Sequence, residues 1–120
     1  MTHGRVTPSK GLVAALLLAA ATLPAAAQSA QALHATGYAM GVERDGLVGT
    51  GDPNRDMAVV CYFGDGATSE GDVNEAFIFA SSYNAPIVFI CQNNQWPISE
   101  PIERQSRIPL YRRASGFGFP

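Results

Sequence analysis

Between Met57 and Trp96 two apolar runs each end in a polar turn. The first run, Met57-Ala58-Val59-Val60-Cys61-Tyr62-Phe63, stops at Gly64-Asp65-Gly66. The second, Ile87-Val88-Phe89-Ile90-Cys91, stops at Gln92-Asn93-Asn94-Gln95-Trp96. The first run lacks polar alternation, the pattern of a strand covered on both faces. Between them Val73, Ala76, Phe77 and Ala80 recur at helical spacing and predict a helix packed on the sheet. Ser69 stands as its N-cap, with Asp72 three residues on in capping-box spacing. Glu70, Asp72 and Glu75 suit a negative first turn, and Asn84-Ala85-Pro86 stops the helix. The result is a βαβ unit. Strands joined by such a crossover pair in parallel, so both turns fall on one edge of the sheet. Adjacent strands lie about 4.8 Å apart. Open α/β sheets bind ligands at that edge, outside the carboxyl ends of the strands.

The flanks add less. Gln31 to Val42 predict a helix with small residues at Ala32, Ala35, Gly37, Ala39 and Gly41, suited to close packing. A lone His34 in it reads as structural. Glu43 to Asp56 read as a surface loop. Asp52-Pro53-Asn54-Arg55-Asp56 begins like a calcium loop but fails, because Met57 and Phe63 occupy the positions of the required Gly and Glu. Pro97 and Pro101 mark an irregular loop. Arg104, Arg107, Arg112 and Arg113 form a basic stretch, read as solvated or salt-bridged, with contact to a partner or acidic group as the functional alternative. Cys61 and Cys91 read as buried free thiols that face each other across adjacent strands.

Met1 to Ala30 have the layout of a secretory leader, and Gln31 to Pro120 form the globular part. Arg5 and Lys10 precede an apolar core, Gly11 to Leu23, and small residues follow at Pro24-Ala25-Ala26-Ala27. The core is too short to span a bilayer, which takes about 20 residues. Export is therefore the alternative to a cytoplasmic location. The 120 residues suffice for one modest domain, and a formal net charge of −2 gives no reason to expect nucleic acid as a partner.

The first turn narrows the ligand. Gly64 and Gly66 permit a tight bend and close approach, and the following helix N-terminus suits an anion. Asp65 places a carboxylate beside that site, so an anionic ligand there needs an intervening cation. Asp65 and Asn94 offer hard oxygens, which suit magnesium or calcium rather than zinc. A Mg²⁺–diphosphate ligand is consistent with this set. A dinucleotide fingerprint needs a third Gly or Ala where Ser69 stands, and an acid about 20 residues on. No such acid occurs between Glu75 and Glu100. No P-loop Gly-Lys-Ser/Thr is present either.

Gly64-Asp65-Gly66 followed at this distance by Asn93-Asn94 resembles the signature of thiamine-diphosphate enzymes. Tyr62 to Asp72, Cys91 to Trp96 and Tyr111-Arg112-Arg113-Ala114 are similar to the alpha subunit of the dehydrogenase component of 2-oxo acid dehydrogenase complexes. The branched-chain type is closest and the pyruvate type second. The likeness reads from about Gln31 to Pro120 and is dense from Cys61, and the resembled subunits are much longer. It implies an α/β fold, a partial thiamine-diphosphate-binding domain with a parallel sheet and flanking helices. It further implies oxidative decarboxylation of a 2-oxo acid with acyl transfer to a lipoyl group. Its cofactors would be thiamine diphosphate and Mg²⁺. In it Asp65, Asn94 and the Trp96 carbonyl hold Mg²⁺, and the backbone at Gly66 and Ala67 holds the diphosphate. Asn93 orients the turn, and Trp96 also reads as an apolar plug. The implied partners are a beta subunit, in a heterotetramer, and a lipoyl-bearing acyltransferase, with no membrane. No catalytic residue falls within this chain, so the 120 residues alone are expected to be inactive. Alternatives are another thiamine-diphosphate enzyme, acting on pyruvate or acetoin or resembling transketolase, and a non-catalytic exported fragment.

Overall fold

The computed structural model describes residues 25–120, with side chains from Ser29 onward. Helix α1 (Ala25–Arg44) leads through a loop to strand β1 (Val59–Gly64). A 3-10 turn (Asp65–Ser69) and helix α2 (Gly71–Ser82) carry the chain to strand β2 (Ile87–Gln92). A short 3-10 turn (Ile102–Arg104) and helix α3 (Tyr111–Gly116) follow. β1 and β2 pair in parallel, from Val59↔Ile87 to Gly64↔Gln92. The predicted βαβ unit is therefore present, with both strand ends on one edge.

Small side chains set the packing. Ala32, Ala35, Ala39 and Val42 of α1 meet Val73 and Ala76 of α2 and Val59, Cys61 and Phe63 of β1 in one buried core. Alanines on facing helices let the backbones approach closely. Phe77 of α2 anchors an aromatic cluster, with ring centroids 5.9 Å from Phe63, 4.8 Å from Phe89, 5.4 Å from Phe117 and 5.8 Å from Phe119. The last two contacts bring the end of the chain back onto the βαβ unit.

Several expectations change. α1 extends past both predicted ends and runs through the Ala30–Gln31 boundary; the leader-like stretch up to Pro24 lies outside the described residues. His34 is exposed on α1. Neither strand is covered on both faces. β1 alternates buried with half-buried residues, and β2 alternates half-buried with exposed ones, leaving Val88 and Ile90 at the surface. The buried residues of α1 and α2 share one core with Cys61 and Phe63. Ser69 does not cap α2. It closes the 3-10 turn instead, and Glu70 becomes the N-cap with no side-chain cap bond. Ser69 Oγ donates to Gln105 Oε1 at 2.7 Å, and Asp72 Oδ2 accepts from Ser29 Oγ at 3.4 Å.

In the Glu43–Asp56 loop the acids bond locally. Asp52 Oδ1 accepts from the Asn54 N–H at 2.9 Å, and Asp56 Oδ1 from the Thr50 N–H at 2.7 Å. The Thr50 bond holds the Asp56 carboxyl below its ordinary range.

The two cysteines do not face each other. Cys61 pairs with Phe89 and Cys91 with Phe63. A two-residue offset along parallel strands separates the Cα atoms by about 8 Å, beyond the roughly 7 Å limit for a disulfide. Both thiols are free, and burial pushes each up to about 11. Few thiolates then exist at pH 8, and the thiolate is the reactive form. Alkylation of the native chain at pH 8 should run roughly a hundredfold slower than in urea, where the thiols recover an ordinary acidity. Mass spectrometry of timed iodoacetamide reactions would show it, and equal rates with and without urea would contradict the buried placement.

Candidate functional site

At Gly64 β1 ends with extended backbone, φ −82 and ψ 158, and turns directly into the 3-10 segment. Neither Gly64 nor Gly66 has positive φ, so neither serves for left-handed backbone. Gly66 serves for close approach. A Cβ there would lie 3.2 Å from Pro97 Cβ and 3.7 Å from Pro97 Cα. The first turn is thus seated directly on the second.

Asp65 opens the 3-10 turn and is only 4% exposed. Its Oδ1 accepts from the Gly66 N–H at 3.0 Å, and its backbone carbonyl accepts from Thr68 Oγ1 at 2.6 Å. Its Oδ2 is buried with no hydrogen-bond partner. Buried polar atoms are nearly always paired, and leaving one unpaired costs on the order of 1–3 kcal/mol. The 3-10 turn separates Asp65 from α2, so the α2 N-terminus does not open directly on the carboxylate as expected. Ala67 is buried in the core, with its carbonyl accepting from the Glu70 N–H at 3.0 Å.

The second turn consists of two successive side-chain-to-backbone turns. Asn93 Oδ1 accepts from the Gln95 N–H at 2.9 Å, and Asn94 Oδ1 from the Trp96 N–H at 2.8 Å. Asn93 therefore orients the turn as anticipated. Gln95 (φ 65) and Ile98 (φ 56) are left-handed. For a β-branched residue such as Ile98 that is a strained conformation. The Gln95 carbonyl accepts from the Ile102 N–H at 3.1 Å and closes the loop. Trp96 is 56% exposed and is not the plug. Pro97 is buried and fills that place against Gly66. The cause is the Asn94 bond, which holds Trp96 at the rim as the chain turns inward at its neighbour.

Asp65 and Asn93 each follow the last strand pair, Gly64↔Gln92. The charge of Asp65 reaches the Cys91 thiol, adding to the upward push that burial gives it, while Arg113 partly offsets the effect. The candidate residues Asp65, Gly66, Ala67, Asn94 and Trp96 therefore lie on two turns in contact at one edge. The donor set is one unpaired buried carboxylate oxygen, one amide oxygen with a lone pair left, and backbone carbonyls. Among the described residues no three His, Cys, Asp or Glu side chains cluster as a metal site. What the edge offers is hard oxygen with little charge, the set used for Mg²⁺ alongside phosphate and water. The Gly66 N–H, read as a diphosphate donor, here bonds the Asp65 carboxylate.

Three positions have roles that the sequence left open. Pro97 was visible only as a loop marker. Thr68 holds the turn internally. Arg113 of α3 donates Nη1 to the Thr68 carbonyl at 2.9 Å and Nη2 to Asn74 Oδ1 at 2.6 Å. The basic stretch also contains an exposed pair, Arg104 with Glu100 at 3.5 Å. An apolar groove of about 830 Å³ adjoins both turns, touching Thr68, Asn93 and Arg113 and running over Phe89 to Leu110. No helix of the described residues is long and apolar enough to cross a membrane.

A family model described as Dehydrogenase E1 component matches residues 15–120, beginning ahead of Gln31. The 3-methyl-2-oxobutanoate dehydrogenase subunit alpha of Mycobacterium tuberculosis (strain ATCC 25618 / H37Rv) is 46% identical over 91 residues, covering 75% of this chain and 23% of that protein. The mitochondrial 2-oxoisovalerate dehydrogenase subunit alpha of Homo sapiens is 44% identical over 66 residues, covering 54% and 15%. The Pyruvate dehydrogenase E1 component subunit alpha of Bacillus subtilis (strain 168) is 38% identical over 77 residues, covering 64% and 19%. The chain thus spans less than a quarter of the length of these curated relatives.

Proposed function

The chain belongs to the dehydrogenase E1 component family, and from that premise we propose that it forms the cation- and diphosphate-binding part of an alpha subunit acting on a 2-oxo acid. A branched-chain 2-oxo acid is the favoured substrate. The relatives named for such acids are 46% and 44% identical, against 38% for the one named for pyruvate. The reaction is oxidative decarboxylation with transfer of the acyl group to a lipoyl arm. A beta subunit and a lipoyl-bearing acyltransferase are its partners. The cytoplasm is its proposed location, with export as the alternative for the leader-like start.

The cofactors are thiamine diphosphate and Mg²⁺. When bound, thiamine diphosphate supplies the carbanion chemistry that releases carbon dioxide. This chain supplies placement. Asp65 Oδ2, Asn94 Oδ1 and the Trp96 carbonyl would hold Mg²⁺, which would offset the charge of a diphosphate beside the carboxylate. The Gly66 and Ala67 backbone would hold the diphosphate. Asn93 keeps the second turn in shape. Burial strengthens the carboxylate–cation attraction relative to water. No residue of this chain is given a proton-transfer role, and the chain alone is expected to turn over no 2-oxo acid.

The observation that carries this reading is the unpaired, buried Oδ2 of Asp65, set in a turn pressed against Pro97. Calorimetric titration of thiamine diphosphate into the full chain, alone and with a beta subunit added, tests it. Binding is expected with Mg²⁺ and lost in excess EDTA. Equal affinity in EDTA, or no binding in either state with Mg²⁺ present, would overturn the assignment.

A further inference from the structure

The turn that carries Asp65 is braced from far along the chain. Arg113 lies 45 residues from Thr68 and 39 from Asn74, and its guanidinium fork reaches both. Each contact is passed on. Thr68 Oγ1 donates to the Asp65 carbonyl at 2.6 Å, and Asn74 Nδ2 donates to the Glu70 carbonyl at 2.8 Å. One side chain thus ties the Asp65–Ser69 turn to the first turn of α2. The base of this brace is fixed, because Phe117 and Phe119, just after α3, pack on Phe77. The partners are also unusual. An arginine fork matches a carboxylate, yet here it meets a carbonyl and an amide. Its charge is felt at the Cys91 thiol, where it partly offsets the upward push of burial.

We propose that Arg113 is a positioning residue for the cation-binding turn: it fixes the Thr68 carbonyl and, through Thr68 Oγ1, the Asp65 backbone, so that Asp65 Oδ2 is presented already in place. This rests on the cation role proposed for Asp65. A turn held in its binding shape spares the ligand the ordering that a loose turn would require. Two charge-assisted bonds from one planar group are stronger and more directional than neutral ones. A lysine at this position keeps the charge but lacks the fork.

The test compares Arg113→Gln, Arg113→Lys and Asn74→Ala with Arg112→Gln as the control. Amide hydrogen exchange is read on the cofactor-free full chain, and Mg²⁺-dependent thiamine diphosphate affinity by calorimetry. Arg113→Gln should speed exchange at Asp65–Ser69 about tenfold and weaken affinity about tenfold, with β1 protection unchanged, since bonds from a charged group are worth roughly this much. Arg113→Lys and Asn74→Ala should fall between Arg113→Gln and the parent, and Arg112→Gln should match the parent. Unchanged exchange at the turn, or an equal loss of protection across β1 and α2, would overturn the proposal. If the parent chain binds no cofactor, the functional reading fails, whereas turn-specific exchange still upholds the brace.

Discussion

Asp65→Asn is expected to make the cofactor-free chain more stable while weakening Mg²⁺-dependent binding of thiamine diphosphate by about a hundredfold or more. The two effects have opposite signs because they act on different atoms of one side chain. Oδ1 accepts from the Gly66 N–H, and an asparagine keeps that bond. Oδ2 is buried in a residue 4% exposed and meets no partner. Removing the charge there relieves desolvation, a gain of about 1–2 kcal/mol after allowing for an unpaired amide in its place. The same change removes the only formal negative charge among the proposed Mg²⁺ ligands. Asn94 and the Trp96 carbonyl contribute dipoles alone, so nothing replaces it. A hundredfold loss corresponds to about 2.7 kcal/mol, modest for a buried cation–carboxylate contact. Urea unfolding of the cofactor-free protein and calorimetry of the loaded one measure the two effects separately. A variant less stable than its parent would show that Oδ2 has a structural partner. Unchanged affinity would remove Asp65 from the site.

How far the sequence went follows from the range of the forces involved. The βαβ unit was legible because hydrophobic periodicity is local, and a helical crossover forces parallel pairing. The shared edge of Asp65 and Asn94 followed from that alone. The role of Asn93 came from the resemblance, and the bond behind it spans only two residues. Ser69 misled because its sequence suits a cap, but the 3-10 turn took it over and turned its hydroxyl to Gln105, 36 residues on. Trp96 misled for another reason. Size and apolarity suggested the plug, but the Asn94 bond to its N–H decided which neighbour turns inward, and that was Pro97. The apolar runs show what each strand could bury, not what is there to cover it, so the exposed face at Val88 and Ile90 could not be foreseen. The Arg113 contacts join residues with no common pattern, and only coordinates reveal them. The cysteine offset likewise depends on register, which apolar runs without alternation specify weakly.

Two glycines should respond to enlargement with opposite signs. Gly66→Val is expected to weaken cofactor binding about a hundredfold and to cost about 1–3 kcal/mol of stability, as overpacking does. Gly37→Ala is expected to stabilise the chain by about 0.5–1 kcal/mol and leave binding unchanged. Gly37 lies inside α1, is exposed, and an added Cβ there meets nothing within 4 Å. Its replacement removes chain entropy from the unfolded state and disturbs no contact. At Gly66 the first added carbon already stands 3.2 Å from Pro97 Cβ. Pro97 is a rigid ring in a loop pinned by the Asn94–Trp96 and Gln95–Ile102 bonds. It cannot yield by rotating a side chain, so the two turns must part. The branched methyls of valine increase the separation. Parting the turns moves the Asn94 amide away from the Asp65 carboxylate, so affinity should fall even where the fold survives. Gly66→Ala should show a smaller loss of the same kind. If Gly66→Val binds as tightly as its parent, contact between the turns is not what assembles the site. If it merely unfolds the chain, Gly66→Ala carries the test, because a shift of a few tenths of an ångström leaves the core of Phe63, Val73 and Ala76 untouched.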